Sequence, residues 1–505
     1  IRDLVRSRGL GDVYKRQLVI PSISSNKFVI KCSLRVLLNL CNNKCKVKWL
    51  HFCTANWRKK EFLKFASWCR MRASQRGRRV RMRPRYHISP EHGFLNDPNG
   101  LTQFRGKYHV FYQWLPDVVP QGNKQWRHCI SDDLVHWTDE GSTLQPKEWY
   151  EKNGCYSGSG IATEDAYFLF YTGNVRDAEG GRETYQCVAV SDDGKSFRKK
   201  GPLIYLPDGY TAHFRDPKVW KKNDRWWMVV GAQTKELKGN VAIFESNDLK
   251  KWDYRGNLLD TSMDWGYMCE CPDVMDIEQQ FLVVSCQKET GCKGIVFSGR
   301  MDYAEAKFQL QDEGNLLDEG FDFYAPQSFV DESGRCILIG WLGAGELEYQ
   351  MSQPTVEEGW LHALTIPREL FIQNGKLHQR PVKEFERIRR HERVIEAEGY
   401  TFIDQETWSV ELLAEQLSSQ KISFNFGNVL KIYFDNNNLL IQRKHWNMKG
   451  YDEVQVEISE LENIQVFLDQ STAEIFVNNG EKVFTFKAFF TDEKGIEIES
   501  EQTIL

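Results

Sequence analysis

The sequence predicts an all-β protein, a five-bladed β-propeller followed by a C-terminal β-sandwich. Three observations carry this. Apolar strand cores recur at 108–112, 167–171, 226–230, 281–285 and 336–340, roughly 55–60 residues apart, near the period of propeller blades. A second stretch keeps step with the first three cores: Ser131-Asp132-Asp133-Leu134-Val135-His136-Trp137, then Ser191-Asp192-Asp193-Gly194-Lys195-Ser196-Phe197, then Ser246-Asn247-Asp248-Leu249-Lys250-Lys251-Trp252. Beyond about residue 398 apolar and polar positions alternate, as in half-buried strands. A sandwich with long insertions is the competing architecture for the first part, but it leaves the regular period unexplained.

Taken in order, residues 1–80 read as foreign to the rest. They are basic, hold five cysteines and contain no methionine before Met71. They lack the compact apolar stretch and small-residue cleavage site of a secretory leader. The expectation is a non-native or disordered extension, with the working protein starting near Met71 or Met82; a basic tail for an anionic partner is the alternative. Residues 86–377 form the predicted propeller. Each repeated Ser-Asp stretch reads as a turn between two outer strands, its final aromatic packed between blades. Residues 378–397 read as a charged linker, with Phe385 and Ile388 its apolar points. In the predicted sandwich, 398–505, hairpin signals stand at 434–439 and 477–481, and 464–469 and 473–477 alternate as strands. No catalytic constellation is visible there, so its expected role is structural support.

Composition excludes several classes. A net charge of -4 gives no case for nucleic acid or an anionic membrane surface. No apolar run reaches the roughly 18–20 residues of a membrane span. The 13 cysteines are scattered without zinc-site spacing, and the 11 histidines form no ligand motif, so neither metal nor cofactor is expected. Unpaired, reduced cysteines point to a cytoplasmic enzyme. The 16 Trp, 19 Tyr and 30 Phe suit a sugar site, although most will fill strand faces.

Three acids stand at or near prolines: Asn96-Asp97-Pro98-Asn99-Gly100, Arg215-Asp216-Pro217 and Glu270-Cys271-Pro272. Pro98 pushes Asp97 toward extended geometry, and Asn99-Gly100 predicts a tight turn. Each alone is an ordinary turn or strand-end acid. On a propeller they fall in separate blades whose innermost strands meet at the central channel, so the acids can converge.

These boxes, in this order, resemble glycoside hydrolase family 32, the invertase and fructan hydrolase family. The likeness runs from about Tyr86 to about Phe490. The stretches 209–220 and 321–327 bring it nearest the family's bacterial sucrose-6-phosphate hydrolase branch. The resemblance also implies a five-bladed propeller. It implies retaining cleavage of the terminal β-D-fructofuranosyl bond of sucrose or sucrose 6-phosphate through a covalent fructosyl-enzyme intermediate. By it Asp97 is the nucleophile, Glu270 the general acid and then base, and Asp216 the transition-state stabiliser. Asn96, Gln113, Tyr156, Ser157, Arg215 and Trp341 are carried over as substrate-binding residues. Retention needs two carboxyl groups about 5–5.5 Å apart, one ionised and one protonated. Backbone N–H groups and Asn96 favour an ionised Asp97, while Met268 and two cysteines make a less polar setting that predicts a raised pKa for Glu270. The expected partner is a small sugar; no oligomeric state is implied.

Departures from the family pattern are Phe94 and Cys269 where Trp is usual, Gln121 before Gly122, and Arg127 in place of Gly. The changes at Gln121 and Arg127 bear on the leaving-group side, where Arg127 reads either as a contact for a phosphate or as a solvated rim charge. Two further readings stay open: a short-fructan hydrolase or fructosyltransferase, and a non-catalytic carbohydrate-binding propeller. Against the latter stands the presence of all three acids.

Overall fold

The computed structural model describes residues 82–505 except 289–290, 344, 396, 405–406, 416, 418–420, 491–494 and 505. The expectations for residues 1–80 lie outside the described residues. The described chain is all-β apart from short helical turns. Five sheets follow one another between Gly93 and Pro381, antiparallel except where the short strand Trp360–Leu361 returns to pair parallel with Gly93–Phe104, and two more follow from Ala397.

The five apolar cores of the sequence lie in the second strand of each of the first five sheets: Lys107–Leu115, Tyr167–Arg176, Arg225–Thr234, Gln280–Lys288 and Cys336–Leu342. These strands are paired on both edges and buried on both faces, which explains runs of consecutive apolar residues instead of alternation. The first strands are Gly93–Phe104, Cys155–Ala162, Tyr210–Lys222, Met268–Asp276 and Phe323–Val330. They pack side by side in that order, and the fifth packs against the first, closing a ring.

The repeated Ser-Asp stretches are turns between third and fourth strands, as the sequence predicts. Asp133, Asp193 and Asp248 each accept two backbone N–H bonds from the residues two and three ahead. The closing aromatics reach the preceding sheet: Phe197 stands edge-on to Phe111, and Trp252 to Phe170. Each such pair adds about 0.5–1.5 kcal/mol to the area it buries.

The expected tight turn at Asn99-Gly100 is absent. Gly93–Phe104 runs as one strand whose register slips between Leu95 and Pro98 and again between Asn99 and Thr102. Pro98 has no N–H to give the ladder, so the strand bulges there instead of reversing. The reversal comes at Arg105-Gly106, both at positive φ, the two-residue turn that matches strand twist. Asn99 is fully buried and acts as a brace. Its amide donates to the Asp97 carbonyl at 2.7 Å and its Oδ1 accepts the Gly158 N–H at 2.8 Å.

After a 3₁₀ turn at Lys383–Ile388, a six-stranded and a four-stranded sheet share one buried cluster. Phe424, Ile432 and Ile441 come from one sheet, Val466, Ile475 and Phe484 from the other. Both predicted hairpins are present, with Asn436-Asn437 and Asn478-Asn479 at positive φ.

The four-stranded sheet is tied to the fifth sheet by a wholly buried ionic network. Arg368 contacts Asp318 at 3.0 Å and Glu474 at 2.5 Å, and His87 lies 3.0 Å from Asp469 and 2.9 Å from Glu474. Burial pushes the His87 pKa down, but hydrogen bonds and charge from Asp469 and Glu474 outweigh it and hold it above the usual value. A raised folded pKa adds stability that is whole below about pH 6.5 and fades as pH climbs through the folded value. Thermal melts across pH 6–9 should therefore fall more steeply for the wild type than for His87→Gln; equal slopes would refute the linkage.

Candidate active site

The site lies where the first strands lose regularity. Four of the five break register at a proline: Pro98, Pro217, Pro272 and Pro326. Asp216, Cys271 and Ala325 sit in the left-handed region, with φ of 68°, 45° and 46°. Each such residue costs on the order of 1–3 kcal/mol unless its surroundings enforce it. The bulge turns the neighbouring side chains out of the pleat and re-aims them. The second strand has no proline; it bulges between Tyr156 and Gly158, where a Cβ on Gly158 would overlap the Phe170 carbonyl.

Around Asp97, a half-buried carboxylate, the sequence-predicted residues form one bonded group. Asn96 Nδ2 donates to Asp97 Oδ1 at 2.9 Å, and Ser157 Oγ donates to Oδ2. Gln113 Oε1 accepts the other Asn96 proton. Lys124, which the sequence did not single out, donates to Asn96 Oδ1 at 2.8 Å and to Gln113 Oε1 at 3.2 Å. It thereby fixes which way both amides face. Burial pushes the Lys124 ammonium down, while the charges of Asp97, Glu270 and Asp216 pull the other way.

A second group holds the other two acids. Arg215 Nη2 donates to Glu270 Oε1, and Tyr324 donates to Glu270 Oε2 at 2.7 Å. The Cys271 N–H donates to Asp216 Oδ2 at 3.1 Å, and the Asp216 N–H to Thr172 Oγ1. Asp216 is pushed up to about 7 by burial and by the charges of Glu270 and Asp97, against the pull of Arg215. Asp216 therefore sits within electrostatic reach of both Glu270 and Asp97, and Lys124 within reach of all three. Trp341 stands edge-on to Tyr324 at 6.3 Å and to Phe94 at 6.2 Å, walling the same space. Tyr156 faces the Arg182 guanidinium, 5.5 Å from its ring centre.

Two expectations need correction. Glu270 is not raised. Burial pushes it up, but the Arg215 charge and hydrogen bond, with the Tyr324 bond, hold it below the usual carboxylate value. The buried cysteine neighbours matter less than one guanidinium in contact. Arg127 is no free rim charge: Asp139 takes its Nε and Nη2 at 3.1 and 2.6 Å, and its guanidinium stacks 4.9 Å from Trp114. Tyr324 was within reach of the sequence, because Tyr324-Ala325-Pro326 repeats the spacing of Glu270-Cys271-Pro272. Lys124 gave no local signal beyond the unusual loop it occupies. Among the described residues no group of His, Cys, Asp and Glu could hold a metal ion.

The chain is similar to known proteins over nearly all of its described length. The profile for the glycosyl hydrolases family 32 N-terminal domain matches residues 87–381, and that for the glycosyl hydrolases family 32 C terminal matches 384–504. Sucrose-6-phosphate hydrolase of Bacillus subtilis is 40% identical over 428 residues, covering 81% of this chain and 89% of that protein. The Salmonella typhimurium sucrose-6-phosphate hydrolase is 39% identical over 421 residues, covering 80% of this chain and 88% of its own length. Among solved structures, sucrose-6-phosphate hydrolase from Lactobacillus gasseri superposes with a TM-score of 0.74 at 29% identity, covering 84% of this chain and 92% of that one. A mutant of a Bombyx mori GH32 beta-fructofuranosidase in complex with sucrose gives 0.72 at 29% identity, over 84% and 92%.

Proposed function

The chain belongs to glycosyl hydrolases family 32, and from that premise we propose that it is a retaining β-fructofuranosidase. It releases the terminal β-D-fructofuranosyl unit of sucrose or sucrose 6-phosphate through a covalent fructosyl intermediate. The five sheets read as five propeller blades and the last two as a sandwich; what supports this is the closed ring of first strands and the single cluster shared by the two C-terminal sheets. We take 86–377 as the catalytic domain, 378–397 as the linker and 398–505 as the supporting domain. Cys129, Cys155, Cys187, Cys271 and Cys336 are buried thiols in no disulfide, which fits the reducing cytoplasm.

In this reading Asp97 attacks C2 of the fructosyl unit. Asn96 and Ser157 each give Asp97 a hydrogen bond, which fixes the orientation of its carboxylate. Asp216 grips the fructose hydroxyls. Glu270 delivers a proton to the leaving oxygen and later takes one from water. Arg215 keeps Glu270 ionised while the site holds no sugar. A substrate that draws the guanidinium toward itself lets Glu270 take up the proton it must donate. The observation that carries the proposal is the grouping of three acids far apart in sequence: Arg215 contacts both Glu270 and Asp216, and Asp97 lies within electrostatic reach of Asp216.

The test is direct. Purified protein incubated with sucrose and with sucrose 6-phosphate should release fructose as the β anomer, with glucose or glucose 6-phosphate in equal amount. No fructose from either sugar would sink the reading, and release as the α anomer would sink the retaining mechanism.

A further inference from the structure

We propose that His362 is a positioning residue for the site: its Nδ1 accepts the indole N–H of Trp341 when sugar fills the pocket, and so fixes the wall the sugar lies against. This rests on the β-fructosidase reading above, in which Trp341 walls the pocket beside Tyr324 and Phe94. It gives a role in binding to a residue buried behind that wall.

His362 stands at the seam between the first sheet and the fifth. Just before it, Trp360 and Leu361 pair with Gly93 and Phe94 of the first sheet. Just after it, Ala363 and Leu364 pair with Leu342 and Trp341 of the fifth. The chain changes sheets across this single residue, whose φ of 72° lies in the left-handed region. Glycine or asparagine would sit there with less strain. A strained backbone that carries a large polar ring is a reason to ask what the ring does. The imidazole is fully buried and stands edge-on to both Trp341 and Phe94, with ring centres 5.3 Å away in each case.

Hydrogen bonds fix the state of the ring. Gln350 Nε2 donates to the Gly345 carbonyl at 2.6 Å, so it is Oε1 that faces His362 Nε2, at 3.2 Å. An amide oxygen only accepts, so Nε2 carries the hydrogen and Nδ1 presents a lone pair. Burial, and then the charges of Lys487 and Lys124, push the His362 pKa well down and keep the ring neutral. Trp341 Nε1 can only donate. Among the described residues neither His362 Nδ1 nor Trp341 Nε1, both buried, has a hydrogen-bond partner. Both crowd the same glycine: a Cβ on Gly343 would stand 2.0 Å from His362 Nδ1 and 2.6 Å from Trp341 Nε1. A buried donor and a buried acceptor are each costly when left unmade, and a small turn of the indole satisfies the two together. Gln350 belongs to the helical turn Leu347–Met351, whose Tyr349 donates to Asp322 and accepts from Arg443 of the six-stranded sheet. The C-terminal part of the chain thus braces the segment that orients the imidazole. The plain structural reading is that His362 only fills the seam. In that role an apolar side chain of similar size would change stability and leave sugar binding alone.

The experiment measures KM and kcat, on whichever of sucrose and sucrose 6-phosphate the wild type cleaves faster, in the wild type, His362→Leu, His362→Asn and Trp341→Phe. His362→Leu should raise KM about tenfold, the size of one lost hydrogen bond, and change kcat less than about twofold. His362→Asn should bring KM back to within about threefold of the wild type, because asparagine offers an acceptor near the Nδ1 position and tolerates a positive φ. Trp341→Phe, which keeps a ring but has no N–H, should raise KM as His362→Leu does, and the double variant should be no worse than Trp341→Phe alone. A second arm reads the bond itself in a proton–nitrogen correlation spectrum. The indole signal that Trp341→Phe removes should move downfield when fructose saturates the wild type and should stay in place in His362→Leu. No movement in the wild type overturns the inference even if His362→Leu fails to fold. An unchanged KM in His362→Leu, an equal loss in His362→Asn, or additive losses in the double variant also overturn it. Wild-type protein that cleaves sucrose but shows no indole shift refutes this inference alone; protein that cleaves neither sugar refutes the reading beneath it.

Discussion

Asp97→Asn should lower kcat on sucrose or its 6-phosphate by roughly a thousandfold or more while leaving the fold intact, because removing a nucleophile removes the step itself. The substitution is nearly isosteric. Asn96 can still donate to the amide oxygen, and Ser157 can turn its hydroxyl to suit. Glu270→Gln should behave differently. With sucrose it loses both the acid and the base, a loss of about 10²–10⁴-fold. With β-fructosyl fluoride, whose leaving group needs no proton, the first step proceeds and the second stalls. Mass spectrometry of Glu270→Gln after fluoride treatment should then find an anhydrofructosyl unit esterified to Asp97. Near-normal turnover in either variant, or a label on another residue, would overturn the assignment.

The convergence of these acids was legible because it depends on two features written locally. One is the repeat that places one inner strand in each sheet. The other is proline, which forces the bulge that re-aims its neighbour, at Pro98, Pro217 and Pro272 alike. The tight turn read at Asn99-Gly100 failed for the same reason. A turn signal inside a strand becomes a bulge when both flanks pair with partners, and tertiary pairing overrides the local preference. The state of Glu270 was not legible. It depends on Arg215, one residue in another sheet 55 positions away, touching a carboxylate whose immediate sequence is apolar. Lys124 was missed as a site residue because a single cation in a polar loop carries no pattern of its own. Its significance comes from what it faces.

Arg368→Met should destabilise the protein by about 3–5 kcal/mol, the cost of leaving buried carboxylates without their cation. Arg368 is fully buried, and its guanidinium binds Glu474 through Nε and Nη2, Asp318 and Gln379 through Nη1, and Thr485 through Nη2. Methionine fills much of the volume but answers none of these acceptors. Asp318 already has a raised pKa, pushed up by burial and pulled back by Arg368, so removing the arginine drives it toward the neutral acid. Adding Asp318→Asn to Arg368→Met should therefore cost less than Asp318→Asn alone, because the charge it removes no longer has its partner. Urea denaturation of the four proteins of that cycle measures the coupling. The network joins the fifth sheet to the four-stranded C-terminal sheet, and Phe323, Arg368's neighbour by ring contact, begins the strand that carries Tyr324. Loosening it should raise KM at temperatures where the protein remains folded, since Tyr324 positions Glu270. Additive stability costs across the cycle, or unchanged KM in a clearly destabilised variant, would show that the network holds the two parts together without shaping the site.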